Sequence, residues 1–285
     1  MRHRYLLYLL AFVFIACKKE PAPVSDPLAA ITQTDQAYGS SPAQKMDLYL
    51  PSGRSSANTP VLILIHGGAW FGGDKSDFGS FIDSLKKRLP AYAIFNINYR
   101  LSSYPNNLFP TQEMDVKSAV EYIYSKRNDY QISDRWVMMG VSAGAHLALL
   151  HGYKNTVPVK VKAIVDFFGP TDLNDLYNNP GSVPQFTIER IIGATPTSNP
   201  TLYQQSSPVN WVSATVSPTI LLQGGNDPLV HPQRQAAALR DRLIAAGVPT
   251  QWVFYPDKGH GDDWDSNTYF DAFNQISSFL QTHNP

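Results

Sequence analysis

Cysteine is almost absent from this chain of 285 residues, since Cys17 is the only one. A single thiol excludes an intrachain disulfide and a zinc site built from several thiolates. An excess of one charge is also missing, because 23 Lys and Arg balance 23 Asp and Glu. Bulk charge therefore gives no reason to expect binding to nucleic acid or to acidic polymers. The sequence shows no internal repeat and no long charge run, so function has to be inferred from local motifs.

A hydrophobic run long enough to span a bilayer is missing as well. A spanning helix needs about 20 apolar residues, and the N-terminal run over residues 5–16 ends at Cys17, before Lys18 and Lys19. Two arginines precede this run, which is typical of a signal peptide. Residues 14–17, Phe-Ile-Ala-Cys, resemble the lipobox of bacterial lipoproteins, although phenylalanine stands where leucine is usual.

These features predict three segments. We expect a signal peptide over residues 1–16, a lipidated Cys17 that begins a flexible tether over residues 17–30, and a catalytic domain over residues 31–285. The tether is inferred from its prolines and alanines, which show no periodic apolar pattern. The mature protein would then be a bacterial membrane lipoprotein that faces the periplasm or the cell surface. A plain signal peptide with an incidental cysteine is the alternative.

The whole chain has 43% hydrophobic and 12% aromatic residues, enough to fill a core. Two extended stretches come first, from residue 31 and over 45–50, and they fit antiparallel edge strands. Apolar runs too short for helices follow, and uninterrupted apolarity is typical of strands covered on both faces. These runs are residues 61–65, 93–98, 136–139, 161–167, 219–222 and 251–255.

Patterns with helical spacing alternate with these runs, which predicts a mostly parallel α/β sheet flanked by helices. Residues 171–212 are rich in Pro, Asn and Tyr and interrupt the alternation. We expect them to form a small cap insertion over the carboxyl ends of the strands, where such sheets hold their sites.

The motif Gly-Val-Ser-Ala-Gly over residues 140–144 lies directly between a predicted strand and a predicted helix. A serine on such a sharp, strained turn leaves no room for side chains two positions away, which explains both glycines. The motif in this context predicts Ser142 as a nucleophile.

A serine hydroxyl needs a base and an acid that orients the base. His260 lies between two glycines just beyond the last predicted strand, and His231 is a weaker rival. For the acid we predict Asp227, which follows the penultimate strand at the matching end of the sheet. Four aspartates within residues 257–265 are closer to His260 in sequence, but clustered loop carboxylates are usually solvated.

Two glycines follow the first buried strand, in His-Gly-Gly-Ala-Trp over residues 66–70. Acyl transfer needs backbone donors for an oxyanion near the serine. We therefore predict an oxyanion hole made of the amides of Gly68, Ala69 and Ala143. A phosphate-binding loop is the alternative for glycines after a strand, but neither G-x-G-x-x-G nor a Gly-Lys-Ser signature is present.

Together with Asn-Tyr-Arg-Leu at 98–101 and His146, these motifs resemble the esterase branch of the α/β-hydrolase superfamily near hormone-sensitive lipase. Within it, they are similar to the group of bacterial feruloyl and acetyl-xylan esterases. The resemblance covers nearly everything from about residue 31 onward. It implies an α/β-hydrolase fold with a mostly parallel sheet of the eight-stranded type. The order Ser142, Asp227, His260 is characteristic of this superfamily. Ala69 replaces the third glycine of the lipase-like version, which favours the xylan-esterase or kynurenine-formamidase side.

The predicted function is hydrolysis of carboxylic esters through an acyl-enzyme, without a metal or organic cofactor. We expect short-chain or aromatic esters of carbohydrates outside the cytoplasm, with acetyl or feruloyl groups, as small-molecule or oligosaccharide substrates. Four aromatic side chains are candidates for the substrate pocket: Trp70, Tyr177, Phe186 and Trp211. An arylformamidase or peptidase on the same fold and a non-catalytic surface binding module are the alternatives.

Overall fold

The computed structural model of the protein describes residues 28–284. The strands in this range are β1 (Ile31–Ala37), β2 (Lys45–Leu50), β3 (Val61–Ile65), β4 (Ala93–Ile97), β5 (Trp136–Val141), β6 (Ala163–Phe167), β7 (Thr219–Gly224) and β8 (Thr250–Tyr255). The α-helices are α1 (Gly79–Arg88), α2 (Thr111–Ser125), α3 (Arg127–Tyr130), α4 (Ala143–Lys154), α5 (Leu173–Asn178), α6 (Gln185–Ile192), α7 (Pro200–Gln205), α8 (Ala238–Ala245) and α9 (Ser266–His283).

The predicted signal peptide and Cys17 lie outside the described residues, as does most of the predicted tether. Their assignment therefore stays a prediction. Between residues 28 and 284, no helix combines the length and the apolar character that a membrane crossing requires.

All eight strands join one sheet in the order β1-β2-β4-β3-β5-β6-β7-β8. Every neighbouring pair from β4 to β8 is parallel, which confirms the predicted mostly parallel sheet. The first two strands are antiparallel to their neighbours, as expected. The prediction that both are edge strands was wrong for β2, because β2 pairs with β1 on one side and with β4 on the other.

Side chains of the central strands alternate between two hydrophobic layers. Val61, Ile63 and Ile65 pack on the side of α2 and α4, whereas Leu62 and Leu64 pack on the side of α1 and α9. Successive residues of a strand point to opposite faces, so a strand covered on both sides must be apolar at every position. This explains the uninterrupted apolar run of β3.

The last strand departs from this pattern. β8 is an edge strand, and most of its residues are only partly buried. Phe254 is 38% exposed and stacks on Trp252 at 5.5 Å between ring centres. The expectation that this run is covered on both faces is therefore met only in part, since Val253 is buried whereas Phe254 is exposed.

The segment predicted as an insertion contains α5, α6 and α7, all between β6 and β7. The longest of these helices, α6, has eight residues. The segment is fastened to the body of the protein through Gln235, whose side-chain oxygen accepts hydrogen bonds from the amides of Thr171 (2.8 Å) and Asp172 (2.9 Å). Residues of α5 and α6 thereby form a wall beside Ser142 at the carboxyl ends of the strands.

Candidate active site

Ser142 occupies a sharp turn between β5 and α4. Its φ of 54° and ψ of −120° are unusual for a residue with a side chain. Two glycines make this turn possible. A Cβ at Gly140 would collide with the backbone of Ala145, and a Cβ at Gly144 would collide with the carbonyl oxygen of Ile65. The turn therefore lies directly against the end of β3, as the sequence motif predicts.

The three residues predicted as nucleophile, base and acid lie in hydrogen-bond contact. His260 Nδ1 is 2.7 Å from Asp227 Oδ2, and His260 Nε2 is 2.8 Å from Ser142 Oγ. A carboxylate can only accept a hydrogen bond, so Nδ1 carries the proton and Nε2 is left to accept from the serine hydroxyl. This arrangement prepares the imidazole to take the proton of Ser142.

Asp227 is held as an oriented acceptor. Its side chain has no exposed surface. Oδ1 accepts hydrogen bonds from the amides of Leu229 and Val230, both at 2.8 Å. Oδ2 accepts from Gln223 Nε2 at 3.0 Å in addition to His260. The role of Gln223 was missed from the sequence, although a polar residue near the end of the buried strand β7 is the signal that could have indicated it.

The loop that carries His260 is fixed on both sides of the histidine. The Trp264 indole donates to the carbonyl of Gly259 (3.1 Å), and the Tyr269 hydroxyl donates to the carbonyl of Gly261 (2.8 Å). The imidazole also packs against the ring of Phe168, with 4.6 Å between ring centres. These contacts limit the orientations that His260 can take.

The rival base and the rival acids considered from the sequence take no part in the hydrogen-bond chain of Ser142, His260 and Asp227. His231 is exposed, and its Nδ1 accepts a hydrogen bond from the amide of Gln233. All four aspartates of residues 257–265 are exposed. Two of them stabilise backbone, since Asp263 accepts from the amide of Gly259 and Asp265 caps the N-terminus of α9.

The glycine turn, residues 66–70, lies beside Ser142. A Cβ at Gly67 would lie 3.4 Å from the Cβ of the serine. Gly68, Ala69 and Trp70 have φ values of 101°, 49° and 64°, so the chain follows an unusual path here. Within residues 28–284, the amides of Gly68 and Ala69 have no hydrogen-bond acceptor. The amide of Ala143 is the first of α4, and a first amide has no partner inside its own helix.

Tyr99 fixes the other side of this turn, which sequence reasoning did not foresee. Its hydroxyl donates to the carbonyls of His66 (3.1 Å) and Gly67 (3.2 Å). Its ring stacks on the imidazole of His66 at 4.3 Å. Burial lowers the pKa of His66, which favours the neutral form of this imidazole. The carbonyls of the turn are thus engaged, whereas its amides remain available as donors.

A second histidine connects the glycine turn with α4 and with the insertion. The Trp70 indole donates to His146 Nδ1 (3.1 Å), and His146 Nε2 donates to the carbonyl of Ser206 (2.7 Å). This pattern requires a neutral imidazole, because Nδ1 must accept. Complete burial lowers the pKa of His146 to about 4, which keeps the ring neutral except in acid.

Ser142 and His260 line a small cavity, which we call the inner cavity. Its volume is about 50 Å³. Its wall is largely apolar and comes from the glycine turn and the insertion, with Trp70, Leu176 and Ile188 among its residues.

A larger cavity of about 420 Å³, the outer cavity, adjoins the inner one, because Thr187 lines both. A third cavity of about 180 Å³ lies behind the glycine turn and is lined mostly by aromatic side chains. Neither Ser142 nor His260 belongs to its lining, although Gly67 and Gly68 of the glycine turn do.

The four aromatic candidates for the substrate pocket fall into different places. Trp70 lines the inner cavity, and Phe186 lines the outer one. Tyr177 and Trp211 line neither the inner nor the outer cavity. Tyr177 packs instead against the ring of Tyr203 at 5.8 Å. The indole of Trp211 donates to the carbonyl of Gln205 and lies under the ammonium group of Lys154.

In the part of the chain that the structure covers, no group of three or more His, Cys, Asp or Glu side chains could bind a metal ion.

The profile of the BD-FAE family matches residues 46–243, which is more than half of the chain. Among the relatives of this chain, the esterase LipC of Mycobacterium tuberculosis is 27% identical over 79% of this chain. The probable carboxylic ester hydrolase LipM of the same organism is 32% identical over 66% of this chain. This chain spans 59% of the length of LipC and 46% of the length of LipM.

A solved structure described as a truncated form of a carbohydrate esterase from gut microbiota has a similar fold. It superposes with a TM-score of 0.75 at 25% identity, and the match covers 92% of this chain and 99% of that one.

Proposed function

The chain belongs to the BD-FAE family and has the α/β-hydrolase fold, and on that premise we propose that it is a serine hydrolase of carboxylic esters. The observation that carries the proposal is the continuous hydrogen-bond chain from Ser142 through His260 to Asp227. The similarity to LipC, to LipM and to a carbohydrate esterase supports it.

In the proposed acylation step, Ser142 Oγ attacks the carbonyl carbon of the ester, and its proton passes to His260 Nε2. The carboxylate of Asp227 stabilises the imidazolium that forms. The unpaired amides of the glycine turn and of Ala143 donate to the developing oxyanion. The tetrahedral intermediate then collapses, and the alcohol leaves with the proton from His260.

Deacylation repeats the sequence with water in place of the serine. His260 takes a proton from water as the oxygen attacks the acyl carbon. The carboxylic acid leaves, and the proton returns to Ser142 Oγ. Apart from the ester and water, these steps use only the side chains and amides named above.

The size of the inner cavity favours a short acyl group. Its volume of about 50 Å³ is roughly a third of the cavity of about 150 Å³ that accommodates benzene in an engineered protein. An acetyl group fits this space better than a feruloyl group. The alcohol half of the ester then extends toward the outer cavity, which has room for a sugar.

We further propose that the substrate is an ester of a carbohydrate and that the enzyme acts outside the cytoplasm. The support for export comes from the signal-peptide pattern over residues 1–16 and from Cys17 in its lipobox-like context. An exported enzyme does not meet cytosolic formylkynurenine, which argues against the formamidase alternative.

An activity-based fluorophosphonate probe tests the nucleophile, since only an activated serine reacts with it. We expect the wild-type protein to gain the mass of one probe and Ser142→Ala to gain none. Unlabelled wild-type protein, or equal labelling of the variant, would contradict the proposal and favour a non-catalytic binding module.

A panel of p-nitrophenyl esters tests the size of the acyl group. We expect kcat/KM for the acetate to exceed that for the palmitate by at least about tenfold, because a long chain does not fit the inner cavity. Acetate release from acetylated xylan is the matching test on a polymer. Faster turnover of the palmitate, with no acetate or ferulate released from xylan, would assign the enzyme to the lipases instead.

A further inference from the structure

The outer cavity has an unusual concentration of exposed aromatic side chains. Phe71, Tyr104 and Phe186 are 53%, 62% and 59% exposed, and all three line it. They are half of the six large aromatic side chains that are exposed within residues 28–284. Exposed apolar surface gathered at one place is typical of a binding groove. Apolar residues that are exposed singly are common and do not indicate a binding site.

Arg190 is the one charged residue in the lining of this cavity. Its guanidinium group lies over the ring of Phe186, 5.5 Å from the ring centre. Among the residues that the structure describes, Arg190 has neither an ion-pair partner nor a hydrogen-bond partner for its side chain. An arginine held by its flat face on an aromatic ring keeps its N–H edge free for a ligand.

The neighbouring carboxylate does not neutralise this arginine. Glu189 precedes Arg190 on α6, and adjacent residues of a helix do not face each other. Within residues 28–284, no ion pair joins Glu189 to Arg190. The outer cavity therefore presents a positive group to its ligand.

Two elements show that the outer cavity continues from the site of Ser142. On α6, Thr187 and Ile188 line the inner cavity, whereas Phe186 and Arg190, which lie one turn apart, line the outer cavity. Trp70, the last residue of the glycine turn, lines the inner cavity, and Phe71 directly after it lines the outer cavity. A ligand bound at Ser142 can thus extend over α6 to the aromatic side chains.

We propose that the outer cavity binds an anionic sugar, a uronic acid residue in the alcohol half of the ester. The inference rests on the proposed esterase function and deepens it. The faces of the sugar ring pack on the three exposed aromatic rings. The carboxylate accepts hydrogen bonds from the guanidinium edge of Arg190, whose geometry matches a planar carboxylate. The preferred substrate is then an acetylated acidic oligosaccharide.

The test compares two forms of one substrate. An acetylated xylo-oligosaccharide that carries glucuronic acid is compared with the same oligosaccharide after reduction of the carboxyl group to a neutral alcohol. We expect kcat/KM for acetate release to be about tenfold higher for the acidic form, mainly through a lower KM, as one charge-assisted contact would give. The preference should weaken at high salt, since the contact is exposed.

Variants of the arginine separate charge recognition from general packing. Arg190→Gln should remove the preference for the acidic form, and Arg190→Glu should reverse it. Arg240→Gln is the matched control. Arg240 also lies over an aromatic ring, that of Trp252 at 5.1 Å, but neither residue lines the outer or the inner cavity. This control should keep the full preference.

The outcomes distinguish failure of this inference from failure of the proposed function. Equal kcat/KM for both forms, with normal turnover of p-nitrophenyl acetate, would overturn the inference alone. Faster release of ferulate than of acetate, without a preference for acid, would assign the outer cavity to an aromatic acyl group and overturn it as well. No turnover of any ester by the wild-type protein would overturn the proposed function and the inference with it.

Discussion

Ser142, His260 and Asp227 lie in one hydrogen-bond chain, so the first residue-scale prediction concerns them as a unit. Ser142→Ala removes the nucleophile and leaves no large cavity. We expect it to lower kcat by at least about 10⁴-fold, and His260→Ala should cost a comparable factor, because residues of such a unit are not additive. Steady-state kinetics of p-nitrophenyl acetate hydrolysis measure both effects.

His231→Ala is the control for the choice of base, because His231 is exposed and lies away from Ser142. Its kcat should stay near that of the wild type. Near-full activity in folded Ser142→Ala or His260→Ala would exclude the proposed mechanism.

Asp166 is a second residue whose chemistry depends on its surroundings. Its side chain lies in the middle of the sheet on β6, where Oδ1 accepts from the amide of Gly169 (2.7 Å) and Oδ2 has no partner among the described residues. Burial raises the pKa of Asp166 to about 7. The folded protein therefore binds the proton of this group more tightly than the unfolded chain does.

The sign of the pH effect follows from this raised pKa. The stabilising contribution of protonated Asp166 is complete below about pH 4, the value for an unfolded aspartate, and is lost as the pH rises to about 7. Each pKa unit corresponds to about 1.4 kcal/mol. Asp166→Asn cannot ionise, so its free energy of unfolding should decline less between pH 4.5 and 7.5.

Urea denaturation at several pH values between 4.5 and 7.5 measures this difference. Asp83→Asn, at an aspartate that is 82% exposed, should follow the pH dependence of the wild type. Parallel curves for Asp166→Asn and the wild type would show that Asp166 does not titrate in this range.

At the scale of elements, the site depends on how closely α4 approaches the end of β3. Gly144 sits in the first turn of α4, where a Cβ would collide with the backbone of Ile65. We expect Gly144→Ala to displace the turn that carries Ser142. The result should be a loss of about 1–3 kcal/mol in stability, from overpacking, together with a large loss of kcat.

Gly79→Ala is the matched control for this prediction. Gly79 is the first residue of α1, with helical dihedral angles, and nothing lies within 4 Å of a Cβ placed there. Alanine is the better helix former, so this variant should be neutral or more stable by up to about 1 kcal/mol. Thermal unfolding and ester kinetics of the two variants measure the contrast, and equal effects would disprove the explanation.

The sequence predicted the central strands better than it predicted the positions of β2 and β8 in the sheet, and the difference has a physical reason. Central strands such as β3 are covered on both faces, so their apolar runs stand out in the sequence. The positions of β2 and β8 in the sheet could not be inferred in the same way. An apolar run indicates that a strand is buried. It does not indicate which strands pair with that strand, because pairing depends on the rest of the sheet.

At the scale of the whole molecule, the proposed anchor at Cys17 would determine where the protein acts. Cys17 lies outside the described residues, so its role remains a proposal that depends on the lipobox-like sequence before it. We expect Cys17→Ser to move the protein from the membrane fraction to soluble material or to an unprocessed precursor. Fractionation with immunodetection measures this shift.

Mass spectrometry of the mature wild-type protein provides the second measurement. Cys17 should be its first residue and should carry lipid. An unmodified Cys17 still preceded by Ala16 would refute the anchor and leave a plain signal peptide, or none, as the explanation.

The sequence by itself identified the alternating strands and helices and the candidates Ser142, Asp227 and His260. It could do so because each is linked to a local pattern, such as the two glycines that a strained turn requires. Only the tertiary structure decided that these three side chains touch, and that Gln223 and Tyr99 support them. It also decided that Phe71, directly after the glycine turn, shares a cavity with the exposed Arg190 of α6. Such contacts join residues far apart in the chain, and they arise from packing that no local pattern records.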